Sequence, residues 1–380
     1  MSGNQKKFVF TVVSIVLGIC FLELFSVIFF RSFRARFSFY KLEQYVVDEK
    51  DIDSLGRYYD SRLGWDYHYE TEYTERPHPV TYGRPLMATF GDSFMHGTDV
   101  NDDETWQVYL SSLVQADVFN FGTGGFGPDQ AYLKYISITE SLEVPVAVLG
   151  VNSENINRLV NVYRPFYFPK TGIKLPKPRF MQMGGRMKLI PNPIRSIEDI
   201  GLLTDVRFVQ GLGAADWWYN KDNYPIYRFP YLRILFNKRM WLEALYGKED
   251  RRIDDTNPRP WEDLWQEEEP VSLMYSVMDS FIGDVRSRGA VPIIMIMPLQ
   301  DEVFQKYCTN TYPASVTMVA DYCTQKVCLC FNSIDALAGK AESIDEIPDL
   351  FIVHVSPRGN RIIAEAFFRF LEEHLPRILQ

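Results

Sequence analysis

The stretch "PLMATFGDSFMHG" (residues 85–97) joins a short apolar run to a glycine, an acid and a serine. A continuous apolar run of that length suits a strand buried on both faces of a parallel sheet. Ser93 follows where the strand gives way to a helix, a turn that would expose its hydroxyl. Four more runs read the same way: "DVFNFG" (117–122), "VPVAVLGV" (144–151), "VPIIMIMP" (291–298) and "KVCLCF" (326–331). Helical patterns lie between them, such as "DETWQVYLSSLV" and "SLMYSVMDSFIGDVRSRG". The alternation predicts a three-layer α/β/α, doubly wound, flavodoxin-like parallel sheet of about five strands, with working residues at the strands' carboxyl ends.

One gap breaks the rhythm. About 140 residues separate the third and fourth runs, far more than a crossover helix needs. Within this insert Trp217, Trp218, Tyr219, Tyr224, Tyr227, Tyr231, Arg228 and Arg233 mix flat rings with planar cations. Such a surface suits sugar rings or a protein partner; the simpler reading makes most of them the insert's own small core. Lys248 to Glu269 reads as a solvated surface loop.

Residues 8–30, "FVFTVVSIVLGICFLELFSVIFF", carry one charge, Glu23. As a helix they reach about 35 Å, enough for a hydrocarbon layer of about 30 Å. The run is longer than a signal peptide's apolar core and ends in Phe29, Phe30 and Arg31 rather than in small residues, which favours an uncleaved transmembrane anchor. Basic residues flank both ends, so the charges do not orient it. An ionised acid at mid-bilayer costs about 2.5–3.5 kcal/mol, so Glu23 is read as protonated, as snorkelling, or as meeting a partner helix.

The chain has 380 residues, 46% hydrophobic and 23% charged, with a net charge of −9. These values describe a globular protein and argue against a nucleic-acid partner. Of five cysteines, Cys20 lies in the apolar run and Cys308, Cys323, Cys328 and Cys330 crowd together without zinc-pair spacing. Two disulfides and buried free thiols both fit. His68, His78 and His374 show no metal-ligand spacing, and "GTGGFG" lacks a P-loop lysine, so neither metal nor cofactor is expected.

A serine nucleophile needs a base. His354, in "HVSPRGNRIIAEAF", precedes an amphipathic helix that would cap the sheet near its carboxyl edge. At this point the chain resembles the SGNH/GDSL hydrolases, in four blocks: "FGDSF", "NFGTGGFG", "LGVNSEN" and "HVSPRGNRIIAEAF". The blocks occur in family order over about 290 residues, 85–374, the insert aside. The resemblance implies Ser93 as nucleophile and His354 as base. It implies an oxyanion hole made of the Ser93 and Gly125 N–H groups and the Asn152 amide. Two departures stand out. Ser153 follows Asn152 where the family has an aspartate, leaving Asn155 and Asn157 as substitutes for Asn152. Phe351 stands three residues before His354 where the family has the orienting aspartate. Either Asp349 reaches His354 through a bulged loop, or a Ser-His dyad is steadied by a backbone carbonyl. His96 and Asn155 are possible pocket residues, with a packed histidine the plainer reading of His96. Asp92 braces the turn.

The implied protein is a membrane-anchored serine esterase or acyltransferase acting on O-acyl, above all O-acetyl, groups of a glycan or lipid-linked sugar. Its partners are the bilayer, the acylated substrate and a membrane acyl-transfer partner. The rival is an inactive SGNH-fold module that binds carbohydrate or assists assembly. The expected organisation is a tail and anchor over 1–36, a stalk or entry region over 37–80, and a hydrolase-like domain over 81–380 with its insert at 158–270. A single-pass protein with its catalytic domain on the extracytoplasmic, periplasmic side completes the expectation.

Overall fold

A computed structural model describes residues 3–33, 45–69, 74–220, 230–246 and 261–379. Tyr224, Tyr227, Arg228 and most of the charged loop from Lys248 fall outside these. The chain forms two compact units. The larger holds Lys50–Arg164, Ile173–Ile200 and Pro260–Gln380; the smaller holds Met1–Glu49, Pro165–Gly172 and Gly201–Arg259.

The larger unit is built on a five-stranded sheet: β1 (Pro85–Phe90), β2 (Asp117–Asn120), β3 (Val146–Val151), β4 (Val291–Ile296) and β5 (Leu329–Asn332). The order is β2-β1-β3-β4-β5 and every pair is parallel. This is the doubly wound arrangement anticipated, with order reversing at β1 and β3, where ligands of such sheets bind. β3 is buried along its whole length, as a strand covered on both faces must be. On one face Trp106–Val114 packs against Pro357–His374, with Trp106 edge-on to Phe367 at 5.4 Å. On the other, Pro128–Ile138 packs against Glu268–Ser287, with Tyr135 against Phe281 at 5.0 Å. The last strand begins at Leu329 rather than Lys326, because Lys326 still closes the preceding helix and Val327 turns with φ +51°.

The smaller unit contains α1 (Gly3–Phe33), one helix long and apolar enough to cross a membrane. It also holds the buried Trp217, Trp218 and Tyr219. Tyr219 packs on Phe166 at 4.8 Å and Trp218 on Tyr167 at 6.2 Å, so these rings are core, not an open sugar platform. Arg233 is exposed. All five cysteines are free thiols.

Candidate active site

Ser93 opens a one-turn helix, Ser93–His96, directly after β1. Asp92 caps that turn by accepting from the Phe94 N–H at 2.9 Å, as a short acid at such a position does. Its other oxygen, Oδ2, gathers the neighbouring strand end. It accepts from Asn152 Nδ2 and Asn155 Nδ2, each at 2.9 Å, and from Arg158 Nη1 at 2.7 Å. Asp92 is 2% exposed. Burial alone would raise its pKa, but Arg158 and the amide donors outweigh it and hold the carboxyl below its usual range. The pair's stability is therefore present above about pH 4 and lost as pH falls through that depressed value. Asp92→Ala takes the carboxylate at 2.7 Å from a buried guanidinium whose other contacts include Glu154 and the Phe126 carbonyl, each at 3.1 Å. We expect a loss of about 3 kcal/mol in denaturant unfolding, the lower end for a broken buried pair.

The second block forms a tight loop after β2. Gly125 has φ +78°, a conformation that disfavours side chains. A Cβ there would also collide with Arg164 Nη1 and Ile173 Cδ1. The loop is held from below by residues of the 50–80 region. Trp65 Nε1 donates to the Gly124 carbonyl at 3.0 Å, and Asp66 accepts from Thr123 at 2.9 Å and Lys134 at 2.7 Å. Residues 50–69 and 74–80 thus belong to the larger unit. Among the described residues neither the Ser93 nor the Gly125 N–H has a hydrogen-bond acceptor. Asn152 spends one amide hydrogen on Asp92 and retains another. These are the three donors the resemblance implies.

His354 lies in a short turn before the helix Pro357–His374 and packs edge-on against Phe94, 4.7 Å between ring centres. Its Nδ1 is 2.9 Å from Asp99 Oδ2. The same oxygen accepts from the His354 N–H at 2.8 Å and the Val353 N–H at 3.1 Å. With two amides donating to it, Asp99 acts as acceptor, so Nδ1 carries the proton and Nε2 is left as the basic nitrogen. Burial opposes ionisation of Asp99, and the His354 donors outweigh it, lowering its pKa.

This corrects two expectations. Asp349 is exposed, and only its backbone carbonyl is engaged, by Ser356 at 2.8 Å. A dyad steadied by a carbonyl is equally unneeded. Asp99 sits six residues after Ser93 inside "HGTDV", a stretch outside the four blocks of the resemblance. Arg76 straps that loop. It donates to the His96 carbonyl at 2.6 Å, to the Gly97 and Val100 carbonyls, and to Asp102 at 2.8 Å.

The two possible pocket residues, Asn155 and His96, are both buried. Asn155 is 1% exposed and serves Asp92. His96 is buried; its Nε2 meets the Tyr69 hydroxyl at 2.6 Å and its ring packs on Tyr67 at 4.8 Å. Burial, then Arg76, lowers the His96 pKa to about 3, so it is neutral and structural. Phe351 is buried and bridges to Val355. Phe351→Asp should not raise the rate, because Asp99 already occupies Nδ1. It should destabilise by about 3–5 kcal/mol from the lost ring alone, checked by thermal unfolding.

Among the described residues no group of three or more His, Cys, Asp or Glu is placed to hold a metal ion. A cleft lined by Tyr135, Thr139, Pro145 and Arg288 lies at the strands' amino ends, away from Ser93 and without a nucleophile–base pair.

No protein-family model and no curated protein matches the sequence. Solved structures do resemble the chain. A member of the lipolytic protein G-D-S-L family from Veillonella parvula is 10% identical over 77% of this chain and 98% of its own, with a TM-score of 0.37. A catalytic mutant of an acetylxylan esterase from Geobacillus stearothermophilus is 10% identical over 76% and 94%, with a TM-score of 0.35. At such scores the reading of the site rests on its own geometry.

Proposed function

We propose that Ser93, His354 and Asp99 form an acyl-transfer triad in a serine esterase or O-acyltransferase. Its substrate class is an O-acyl, above all O-acetyl, group on a glycan or lipid-linked sugar, with α1 as membrane anchor and the catalytic unit on the extracytoplasmic side. The observation that carries this reading is the Asp99–His354 contact, which supplies the carboxylate that the sequence block lacks. It also weighs against the inactive module, which the missing aspartate favours.

In the reaction Ser93 Oγ attacks the ester carbonyl while His354 Nε2 takes its proton. The oxygen that becomes negative is met by the Ser93 and Gly125 N–H groups and the Asn152 amide. One such donor is worth about 2.7–4 kcal/mol of barrier. The protonated His354, steadied by Asp99, returns the proton to the leaving alcohol. The acyl-serine is then released by water or by an acceptor hydroxyl through the same base.

Two experiments test this. A fluorophosphonate probe should label the full-length protein and fail to label Ser93→Ala; equal labelling of both would sink the triad. Incubating an acyl donor with and without a glycan acceptor separates the chemistries, and product that never depends on acceptor leaves the esterase alone.

A further inference from the structure

Among the described residues of the smaller unit, α1 is covered along one stripe. Ser26, Phe29 and Phe30 are buried, whereas Phe8, Phe10, Leu17 and Phe21 are exposed. Glu23 precedes Ser26 by three residues and shares its face. The stripe is covered by part of the long insert: the 3-10 turn Tyr231–Phe236 and the helix Lys238–Tyr246, here α2. The Tyr231 N–H donates to Glu23 Oε1 at 2.6 Å, and the Leu232 N–H to Glu23 Oε2 at 2.8 Å. Phe29 packs on Trp241 at 4.4 Å and Phe30 on Tyr231 at 5.3 Å. Trp241 Nε1 donates to the Leu235 carbonyl at 3.2 Å, so its polar atom is satisfied within the segment.

Depth follows from helix geometry. Glu23 lies eight residues before Arg31, where the apolar run ends. At 1.5 Å per residue the Tyr231 and Leu232 amides sit about 12 Å inside that end, measured along the axis. A helix spanning the bilayer at 8–30 carries them below the headgroups. There the first N–H groups of a helical turn, which lack intrahelical acceptors, are costly unless the protein supplies partners. Glu23 supplies both acceptors and gains two donors in return, which accounts for an acid in an otherwise uncharged run.

The segment's outer side is mixed, with Arg233 and Lys238 exposed beside large apolar side chains. Met240 and Ala244 face the protein at 0% exposure, yet Phe236, Leu242 and Leu245 stand 83%, 44% and 62% exposed. A short amphipathic element can turn its large exposed apolar side chains to lipid while long basic ones, here Arg233 and Lys238, carry their charges toward the headgroups. We infer that Tyr231–Tyr246 is a second membrane element, seated on the C-terminal part of α1 through Glu23, with Phe236, Leu242 and Leu245 against lipid acyl chains. This rests on the reading of α1 as an anchor.

The test uses the full chain in phosphatidylcholine vesicles containing a lipid with a photoactivated diazirine on its acyl chain, followed by peptide mapping. Adducts are expected on residues 8–30 and on Phe236–Leu245. Adducts on 8–30 alone would overturn the inference and point to a protein or aqueous cover for the segment. Adducts on neither would overturn the anchor and the inference together. In Glu23→Leu, adducts on 8–30 should persist while those on Phe236–Leu245 fall several-fold. Undiminished adducts there would refute the Glu23 seat.

Discussion

Ser93→Ala and His354→Ala should each lower kcat/KM for an activated ester by about 10⁶-fold, the scale seen when one member of a nucleophile–base pair is removed. The two effects should not add, because neither residue works without the other. Combining them is expected to cost little more than either alone. A residual rate should survive through the Gly125 and Asn152 donors, which act whether or not serine attacks. The loss must be chemical. Ser93 Oγ makes no hydrogen bond among the described residues, and His354 touches the fold through Asp99 and the edge of Phe94. Thermal stability of both variants is therefore expected within about 0.5 kcal/mol of the parent. Retained activity in His354→Ala would break the mechanism.

What was legible in the chain follows from how local each signal is. The strands announced themselves because both faces of a central parallel strand are buried, as in "VPVAVLGV". Ser93, Gly125, Asn152 and His354 were legible because each sits one to a few residues beyond such a run or at the start of a patterned helix. Asp99 was not. Its partner lies 255 residues away, and the loop that presents it is shaped by Arg76, from yet another segment. A backbone path fixed by a guanidinium on three carbonyls leaves no periodicity to read. The same holds for Glu23. Its donors, the Tyr231 and Leu232 amides, lie 208 and 209 residues away. Rings in the insert pointed equally to core and to ligand; burial of Trp217, Trp218 and Tyr219 decided for core.

Asp99→Asn should reduce kcat/KM by about 10⁴-fold, as the equivalent exchange does in serine proteases, with KM little changed. The reason is the proton on imidazole. Asp99 Oδ2 accepts from two backbone amides and from Nδ1. An asparagine that keeps its oxygen toward the amides keeps the Nδ1 contact as well, but as a neutral acceptor. The imidazolium formed during attack then loses its counter-charge, and the tautomer with a free Nε2 loses part of its support. Asp349→Asn is the control: its side chain is exposed and makes no hydrogen bond to His354, so activity and stability should be unchanged. The pH profile separates positioning from packing. Asp99 has its pKa lowered by the His354 donors, so it keeps its charge below the usual carboxylate range. Any stability it contributes is present above about pH 4 and fades as pH falls through its depressed pKa. If Asp99 were only a structural brace, Asp99→Asn would shift the unfolding midpoint and spare kcat. A drop in kcat at an unshifted midpoint assigns it to orienting His354, and a large loss in Asp349→Asn instead would return that role to the acid nearer in sequence.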